Sequence, residues 1–389
     1  MSARRGTVIA GGGTGGHIVP SLQVARALVE RGHAAETVEL YGSRRGQEAT
    51  TWPALEFPFT LLPGRGIRRS LRPAALWANL GAVAGLVWAC AHALGSFARH
   101  RPRVVVIVGG YASFAAGLAA VLTRVPLVAL STDAVPGAVN RLLGRFAVAN
   151  AVAFADTGLP RAHVTGTPVV PELVSLDRTP EGKRAARREL GLPDDRKTVA
   201  AAGGSLGALR INRAVADLAG LWPACGGLAL YHVTGRRDFA EFGVAGAAGG
   251  GAQPDARNAG GGEGSQGLCY RVVPFEDNMP RFYAAADVCV TRAGAMTVAE
   301  LLVTGVPAIL VPLPGAPDDH QTRNAEALVG MGAAVRIPDG EFDGRRLAEE
   351  LERLLTDPAR LRAMSEAARR HGHPDAAARV AELVDAHAR

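Results

Sequence analysis

The stretch from Asp287 to Asn324 (DVCVTRAGAMTVAELLVTGVPAILVPLPGAPDDHQTRN) constrains the fold more than any other part of the chain. Two short apolar runs, DVCV and AILVPL, are too brief for helices and read as buried strands. Each leads into a loop, TRAGA and PGAPDDH, and each loop into a helical run. Met296 to Thr304 is closed by Gly305 and Pro307, a capping glycine followed by a helix breaker, and a second helix starts near Gln321. Strands alternating with helices build a parallel sheet, and open parallel sheets bind ligands beyond the carboxyl ends of their strands. Glu300, in the helix after the first loop, and His320 and Gln321, just after the second, fall where a ligand would sit. A carboxylate near a helix N-terminus can accept both hydroxyls of a sugar diol, or it can simply offset the helix dipole. Spacing alone leaves both readings open.

The same design recurs near the start (TVIAGGGTGGHIVPSLQVARAL), at 103–120 (RVVVIVGGYASFAAGLAA) and mid-chain (TVAAAGGSLGALRINRAVADL). Backbone N–H groups in such a glycine turn, with the dipole of the following helix, form an anion site. The glycines at 11, 13 and 16 also satisfy G-x-G-x-x-G, and Glu36 and Glu39 lie about where a ribose-binding acid falls in a dinucleotide fold. That reading has no place for the second glycine loop near Ser205 or for the Glu300 segment. His17 heads the first helix; it is either a partly exposed helix-start histidine or a base, since an unperturbed imidazole has a pKa of ~6.5.

A length of 389 residues suggests two domains, each able to bury a core. The net charge of +7 points to an anionic partner. The basic runs are not interleaved with aromatics and no DNA- or RNA-reading motif is present, so a membrane surface or phosphorylated substrate fits better than nucleic acid. The four cysteines (Cys90, Cys225, Cys269, Cys289) are far apart and make no zinc motif, as in a reduced, cytoplasmic chain. The N-terminus enters a strand directly, without a signal-peptide pattern.

Arg65, Arg68, Arg69 and Arg72 precede a run, Pro73 to Ala98, that contains no Asp, Glu, Lys or Arg. Leu76, Leu80, Val83, Val87, Cys90 and Leu94 form one stripe on it, and the rest is largely Ala and Gly. A two-faced helix on a domain surface fits this better than a membrane span. With Ile67, Leu71, Trp77 and Trp88 nearby, the segment reads either as peripheral docking on anionic lipid or as an ordinary crossover helix beside a solvated basic loop. Residues 168–180 read as an interdomain linker. Residues 243–267 are low complexity and read as a disordered surface loop.

The motifs GGGTGGHIVPSL, GGYASFAAGLAA, GGSLGALRINRAV and RAGAMTVAELLVTGVPAILVPLP with DDHQTRNA resemble the MurG family of bacterial glycosyltransferases, and the resemblance covers nearly the whole chain. It implies a GT-B fold: two Rossmann-like α/β domains with parallel sheets facing a cleft, here 1–167 and 181–374, with the last helix, about 375–389, packing back on the first. The implied activity moves N-acetylglucosamine from UDP-GlcNAc onto undecaprenyl-diphospho-N-acetylmuramoyl-pentapeptide (lipid I) at the cytoplasmic face of the membrane, giving lipid II.

By the same resemblance the donor contacts are Thr14, Gly15, Gly203, Gly204, Ser205, Gly207, Phe275, Ala295, Met296, Thr297, Glu300, His320 and Gln321. Gly13, Gly16, Gly109, Gly110, Tyr111 and Ser113 receive the polyprenyl-diphosphate acceptor, with Ser113 able to cap its helix, and His17 or Asp133 is the base. No cofactor is implied and no metal: Asp318 and Asp319 are the nearest to a metal-binding pair, and their neighbours suit sugar recognition better. The chain departs from the family pattern at Ser131, Thr132 and Asp133, where Glu-Gln-Asn is usual, and at Thr167 and Val170, where Asn and Arg are usual. Leu206 replaces a frequent Gln. These changes keep open a relative acting on another prenyl-phosphate-linked or secondary-metabolite acceptor, and a non-catalytic nucleotide-sugar-binding protein.

Overall fold

The computed structural model describes residues 6–63, 73–204, 207–222, 227–248 and 268–389. The arginine cluster at 65–72, Ser205, Leu206, Cys225 and residues 249–267 lie outside them. The chain divides into two compact units, Met1–Val170 with His373–Arg389, and Pro171–Gly372.

In the first unit seven parallel strands are β1 (Thr7–Gly11), β2 (Val38–Ser43), β3 (Phe59–Leu62), β4 (Val104–Gly109), β5 (Leu127–Ser131), β6 (Ala149–Val152) and β7 (Ala162–Val164). Their spatial order is β3-β2-β1-β4-β5-β6-β7. The chain runs from β1 outward in one direction, then returns to place β4 on the other side of β1, so the topological switch point lies between β1 and β4. Helices α1 (Gly15–Glu30), α2 (Glu48–Thr51), α3 (Pro73–Arg99), α4 (Gly110–Leu122) and α5 (Ala138–Leu143) connect the strands. β1 and β4 are buried along their whole length, as expected of parallel strands covered on both faces.

The second unit opens with α6 (Pro171–Val174) and α7 (Pro180–Glu189). It begins earlier than the sequence suggests, inside the proposed linker, because α6 packs on a helix of this unit, α11 below. Six parallel strands follow: β8 (Lys197–Ala202), β9 (Leu228–Val233), β10 (Cys269–Val273), β11 (Val288–Thr291), β12 (Ala308–Leu310) and β13 (Ala334–Arg336). Their order, β10-β9-β8-β11-β12-β13, repeats the scheme of the first sheet, with the switch point between β8 and β11. The helices are α8 (Leu209–Leu221), α9 (Phe239–Ala248), α10 (Met279–Ala285), α11 (Ala295–Thr304), α12 (His320–Gly330), α13 (Gly344–Leu355) and α14 (Pro358–His371). Residues 243–248, expected to be disordered, form the last part of α9 instead; the glycine-rich composition becomes dense only beyond them. Gly305 ends α11 in the left-handed region at φ 69°, where a side chain is disfavoured.

The last helix, α15 (Ala376–His387), lies on α1 in the first unit. Asp385 accepts from Arg31 and from the His33 ring, both at 2.7 Å, and Val380, Ala381 and Val384 enter the core beside Val24 and Leu28.

α3 carries an apolar stripe, but in the opposite sense to a surface helix that buries its large side chains. Val83, Val87 and Leu94 are 47%, 64% and 37% exposed, and Trp88 is 52% exposed. Ala89, Ala93 and Phe97 turn inward and share a core with Ala112, Ala115, Ala116 and Ala119 of α4. α4 is itself built of small residues, so a close approach of the two helices is open only to the alanine face of α3.

Candidate active site

In each unit the two loops that leave the switch-point strands are the glycine loops. In the first they follow β1 (Gly11–Gly16) and β4 (Gly109–Gly110). The register between β1 and β4 shifts after Ala10, so Gly11 lies opposite Gly109 and the loops come together. They meet too tightly for side chains: a Cβ on Gly110 would come within 2.5 Å of the Gly12 carbonyl oxygen, and one on Gly109 within 2.6 Å of His17 Nε2.

His17 sits in the first turn of α1, and its Nδ1 lies 3.1 Å from the Gly12 carbonyl oxygen. That contact fixes the proton on Nδ1 and leaves the lone pair on Nε2. Burial holds the imidazole below its ordinary pKa, opposed by the Gly12 hydrogen bond and by the charges of Asp133 and Glu48. His17 is therefore neutral near pH 7 and equipped to accept a proton. Asp133, past the end of β5, is brought close enough for its charge to act on the ring.

The other residues of this loop pair fall into two groups. Gly15 and Gly16 open α1, and Gly110 and Tyr111 open α4, where N–H groups have no acceptor within their helices. Thr14 is the extended N-cap of α1 with no capping hydrogen bond from its hydroxyl. Three residues expected to touch the acceptor are otherwise engaged. The Gly13 N–H donates to both carboxylate oxygens of Glu48, at 3.1 and 3.0 Å. The Tyr111 hydroxyl donates to the Pro63 carbonyl at 2.6 Å. Ser113 does not precede its helix as a cap; its fully buried hydroxyl donates to Ala10 O at 2.5 Å and accepts from Gly109 N at 2.9 Å. It holds the β4 loop against β1 rather than facing a ligand. At the positions that depart from the family pattern, the Thr167 hydroxyl donates to the Thr132 carbonyl at 3.5 Å, and the buried Ser131 Oγ has no partner among the described residues.

In the second unit, the loop after β8 leads into α8 and the loop after β11 into α11. A Cβ on Gly203 would lie 2.3 Å from Ala208 N, and one on Gly207, at φ 76°, 2.5 Å from the Thr234 carbonyl oxygen. The Gly207 N–H donates to the Gly204 carbonyl at 2.9 Å, so it closes the turn and is not presented to a ligand. Beneath the turn lies a buried polar network that the sequence did not reveal, although Asn212 stands in a quoted motif. Asn212 donates to Thr234 O at 2.9 Å and to Asp238 at 3.1 Å, and pairs with His232 Nε2 at 3.0 Å. His232, with its pKa pushed down to about 3 by burial, stays neutral.

Ala295, Met296 and Thr297 form the first turn of α11, which carries no acidic residue, so their N–H groups remain open to an anion. Glu300 lies beyond that turn, which removes the dipole reading as its main role. Its Oε2 accepts from the Tyr283 hydroxyl at 2.7 Å, and burial pushes its pKa up to about 7, with the Tyr283 bond opposing. Gln321 Oε1 accepts from Leu313 N at 3.0 Å and Ala293 N at 3.3 Å. It thereby ties the two loops together and leaves only its NH₂ for a sugar. The His320 Nδ1–H donates to Pro317 O at 2.8 Å. Asp318 and Asp319 both adopt left-handed backbone. Phe275 is 40% exposed, with the Arg236 guanidinium 4.6 Å from its ring centroid. Arg292, also missed from the sequence, joins the loop to the end of β12 through Val311 O and Pro312 O and pairs with Asp339 at 2.6 Å.

Comparison with known proteins agrees with this geometry. Residues 7–152 match the glycosyltransferase family 28 N-terminal domain, and residues 198–380 the glycosyltransferase family 28 C-terminal domain. The UDP-N-acetylglucosamine–N-acetylmuramyl-(pentapeptide) pyrophosphoryl-undecaprenol N-acetylglucosamine transferase of Alkalilimnicola ehrlichii is 39% identical over 378 residues, covering 97% of both chains. The protein of the same name from Halorhodospira halophila is 39% identical over 393 residues, covering 99% of both. The crystal structure of Acinetobacter baumannii MurG matches with a TM-score of 0.76 at 27% identity, over 98% of this chain and 99% of that one. The glycotransferase of kitacinnamycin, at 19% identity and a TM-score of 0.67 over 98% and 99%, shares the fold. Similar from end to end to these transferases, and carrying glycine loops at the switch points of both sheets, the chain belongs to the MurG family of GT-B glycosyltransferases.

Proposed function

We propose that this chain transfers N-acetylglucosamine from UDP-GlcNAc to the muramoyl 4-hydroxyl of lipid I, forming lipid II with inversion at the anomeric carbon. The observation that carries the reading is the pairing, at each switch point, of open helix N-termini with one poised titratable side chain: His17 in the first unit and Glu300 in the second. On the donor side, the N–H groups of Ala295–Thr297 and the Gly203–Gly204 turn receive the diphosphate. Glu300 accepts the ribose hydroxyls, Phe275 lies against the uracil, and His320 with the Gln321 NH₂ meets the sugar. On the acceptor side, the N–H groups of Gly16, Gly110 and Tyr111 are those left to hold the lipid diphosphate. The acceptor oxygen attacks C1 as the C1–O bond to UDP breaks. His17 Nε2 takes the hydroxyl proton, and the fixed amides stabilise the charge that develops on the leaving diphosphate.

Docking of the protein on the cytoplasmic membrane surface is part of the same reading. It is supported by the outward stripe of α3, with Val87 and Trp88 more than half exposed, and by the net charge of +7.

The test is transfer of radiolabelled N-acetylglucosamine to a lipid I analogue. A labelled lipid product is the expected result; binding or hydrolysis of UDP-GlcNAc without that product overturns the assignment. The departures from the family pattern at Ser131–Asp133 and Val170 favour, as a second reading, the same chemistry on a different prenyl-phosphate-linked acceptor. Labelled product from such a lipid, with none from lipid I, would select it.

A further inference from the structure

Glu48 has no part in the mechanism above, yet it is a fully buried carboxylate directly beneath the first glycine loop. It stands at the head of α2, a single helical turn, and the loop after β2 carries it to the loop that follows β1. Its Oε1 accepts from Ser43 N at 2.7 Å, and both oxygens accept from Gly13 N. The chain is cut away to admit it. A Cβ on Gly12 would fall 2.1 Å from Oε1, one on Gly46 2.0 Å from Oε2, and one on Gly42 2.7 Å from Cγ.

The Gly13 N–H and the Gly12 carbonyl are the two ends of one peptide group. Peptide groups are planar and rigid, so an anion that fixes the N–H also fixes the direction of the C=O. The Gly12 carbonyl is the acceptor for His17 Nδ1. The result is a continuous line: Glu48 carboxylate, Gly13 N–H, Gly12 C=O, Nδ1–H of His17, and the Nε2 lone pair. Hydrogen bonds in such a chain polarise one another, and a carboxylate at one end makes the carbonyl at the other a better acceptor.

We infer that Glu48 is the positioning residue of the proposed base, acting through the Gly12–Gly13 peptide group to hold His17 in its Nδ1–H tautomer and to balance the charge that His17 gains when Nε2 takes the acceptor proton. The inference rests on the reading of His17 as that base. It also explains why a negative charge sits in a loop of otherwise anion-binding form: the Gly13 amide is reserved for an internal anion, and the lipid diphosphate is left to the neighbouring helix starts. The charged groups that act on the ring are Glu48 from α2 and Asp133 from the end of β5, and both raise its proton affinity.

The test compares Glu48→Gln and Glu48→Asp with wild type by ¹⁵N NMR of the His17 ring and by the pH dependence of transfer. Glu48→Gln keeps the shape and removes the charge. It is expected to lower the His17 pKa, to move the acidic limb of the kcat profile to lower pH, and to reduce kcat by up to ~100-fold, the low end of what a general base supplies. The KM for UDP-GlcNAc should not change. Glu48→Asp should recover part of the loss. A folded Glu48→Gln protein whose His17 tautomer, pKa and pH limb match wild type overturns the inference. Should neither variant fold, the wild-type Gly13 amide decides: slow exchange and a downfield proton are expected, and fast exchange overturns it. His17→Ala separates the two claims. If it retains kcat, the assignment of the base fails, while the NMR still reports whether Glu48 sets the ring.

Discussion

Glutamine at position 300 separates the two things the Glu300 carboxylate does. In the apo protein its pKa is raised from the ordinary 4.5 to about 7 by burial. An acid with a raised folded-state pKa is harder to ionise in the native state than in the unfolded chain. Stability therefore falls as pH rises from about 4.5 to 7 and stays reduced above that, by at most ~3 kcal/mol for a shift of this size. Glu300→Gln removes that cost, so the apo variant should melt higher than wild type at pH 8 and equal to it at pH 4.5.

Donor binding should move the other way. Each ribose hydroxyl donating to a carboxylate contributes ~1.5–3 kcal/mol; the glutamine oxygen can still accept one of the two, so the variant should bind UDP about 10- to 150-fold more weakly at pH 8. Because only the ionised form accepts both hydroxyls, wild-type affinity should fall about tenfold per unit as pH drops well below 7. The diphosphate of UDP titrates in the same range, so calorimetry with UDP and with 2′,3′-dideoxy-UDP isolates the diol. The ratio of the two affinities should fall with pH in wild type and stay flat in Glu300→Gln. A wild-type ratio that does not change between pH 5.5 and 8 would refute the role given to Glu300.

Gly109→Ala places a methyl 2.6 Å from His17 Nε2 on backbone at φ 144°; it should abolish measurable transfer while UDP affinity, measured by calorimetry, is unchanged. Val87→Glu with Trp88→Glu puts two charges on the exposed face of α3, and should release the protein from anionic liposomes in a low-salt pelleting assay without changing its melting temperature by more than a degree or two. Asp287 accepts from Lys183, Arg187 and Thr198 N at 2.8–2.9 Å; Asp287→Ala leaves two cations unpaired and should cost about 3–5 kcal/mol in urea denaturation.

The alternating strands and glycine turns were legible in the sequence because period and turn chemistry are local. The Gly305 cap and the starts of α11 and α12 fall within a residue of where the pattern puts them. Glu48 was not legible: nothing in GSRRGQEATT marks its carboxylate, and its partner at Gly13 is distant in sequence. Ser113 and Gln321 were placed at the right loops, but the hydrogen bonds each makes to loop backbone were not legible, since a short polar side chain beside a loop serves the loop's own backbone as readily as a ligand. The stripe on α3 was visible, but its direction was not, because only the composition of α4 decides which face can approach.

The alanine seam between α3 and α4 leaves the exposed Val83, Val87, Trp88 and Leu94 of α3 with little duty in folding. Under the proposed docking on membrane, their size and greasiness can drift over evolutionary time to suit the lipids of a given host, while the scaffold underneath stays unaltered. The reverse does not hold. Enlarging Ala89 or Ala93 would lift the whole rod from its bed and tip its outer face, so the proposed docking should prove tolerant to change on the outside and brittle at two inconspicuous methyl groups.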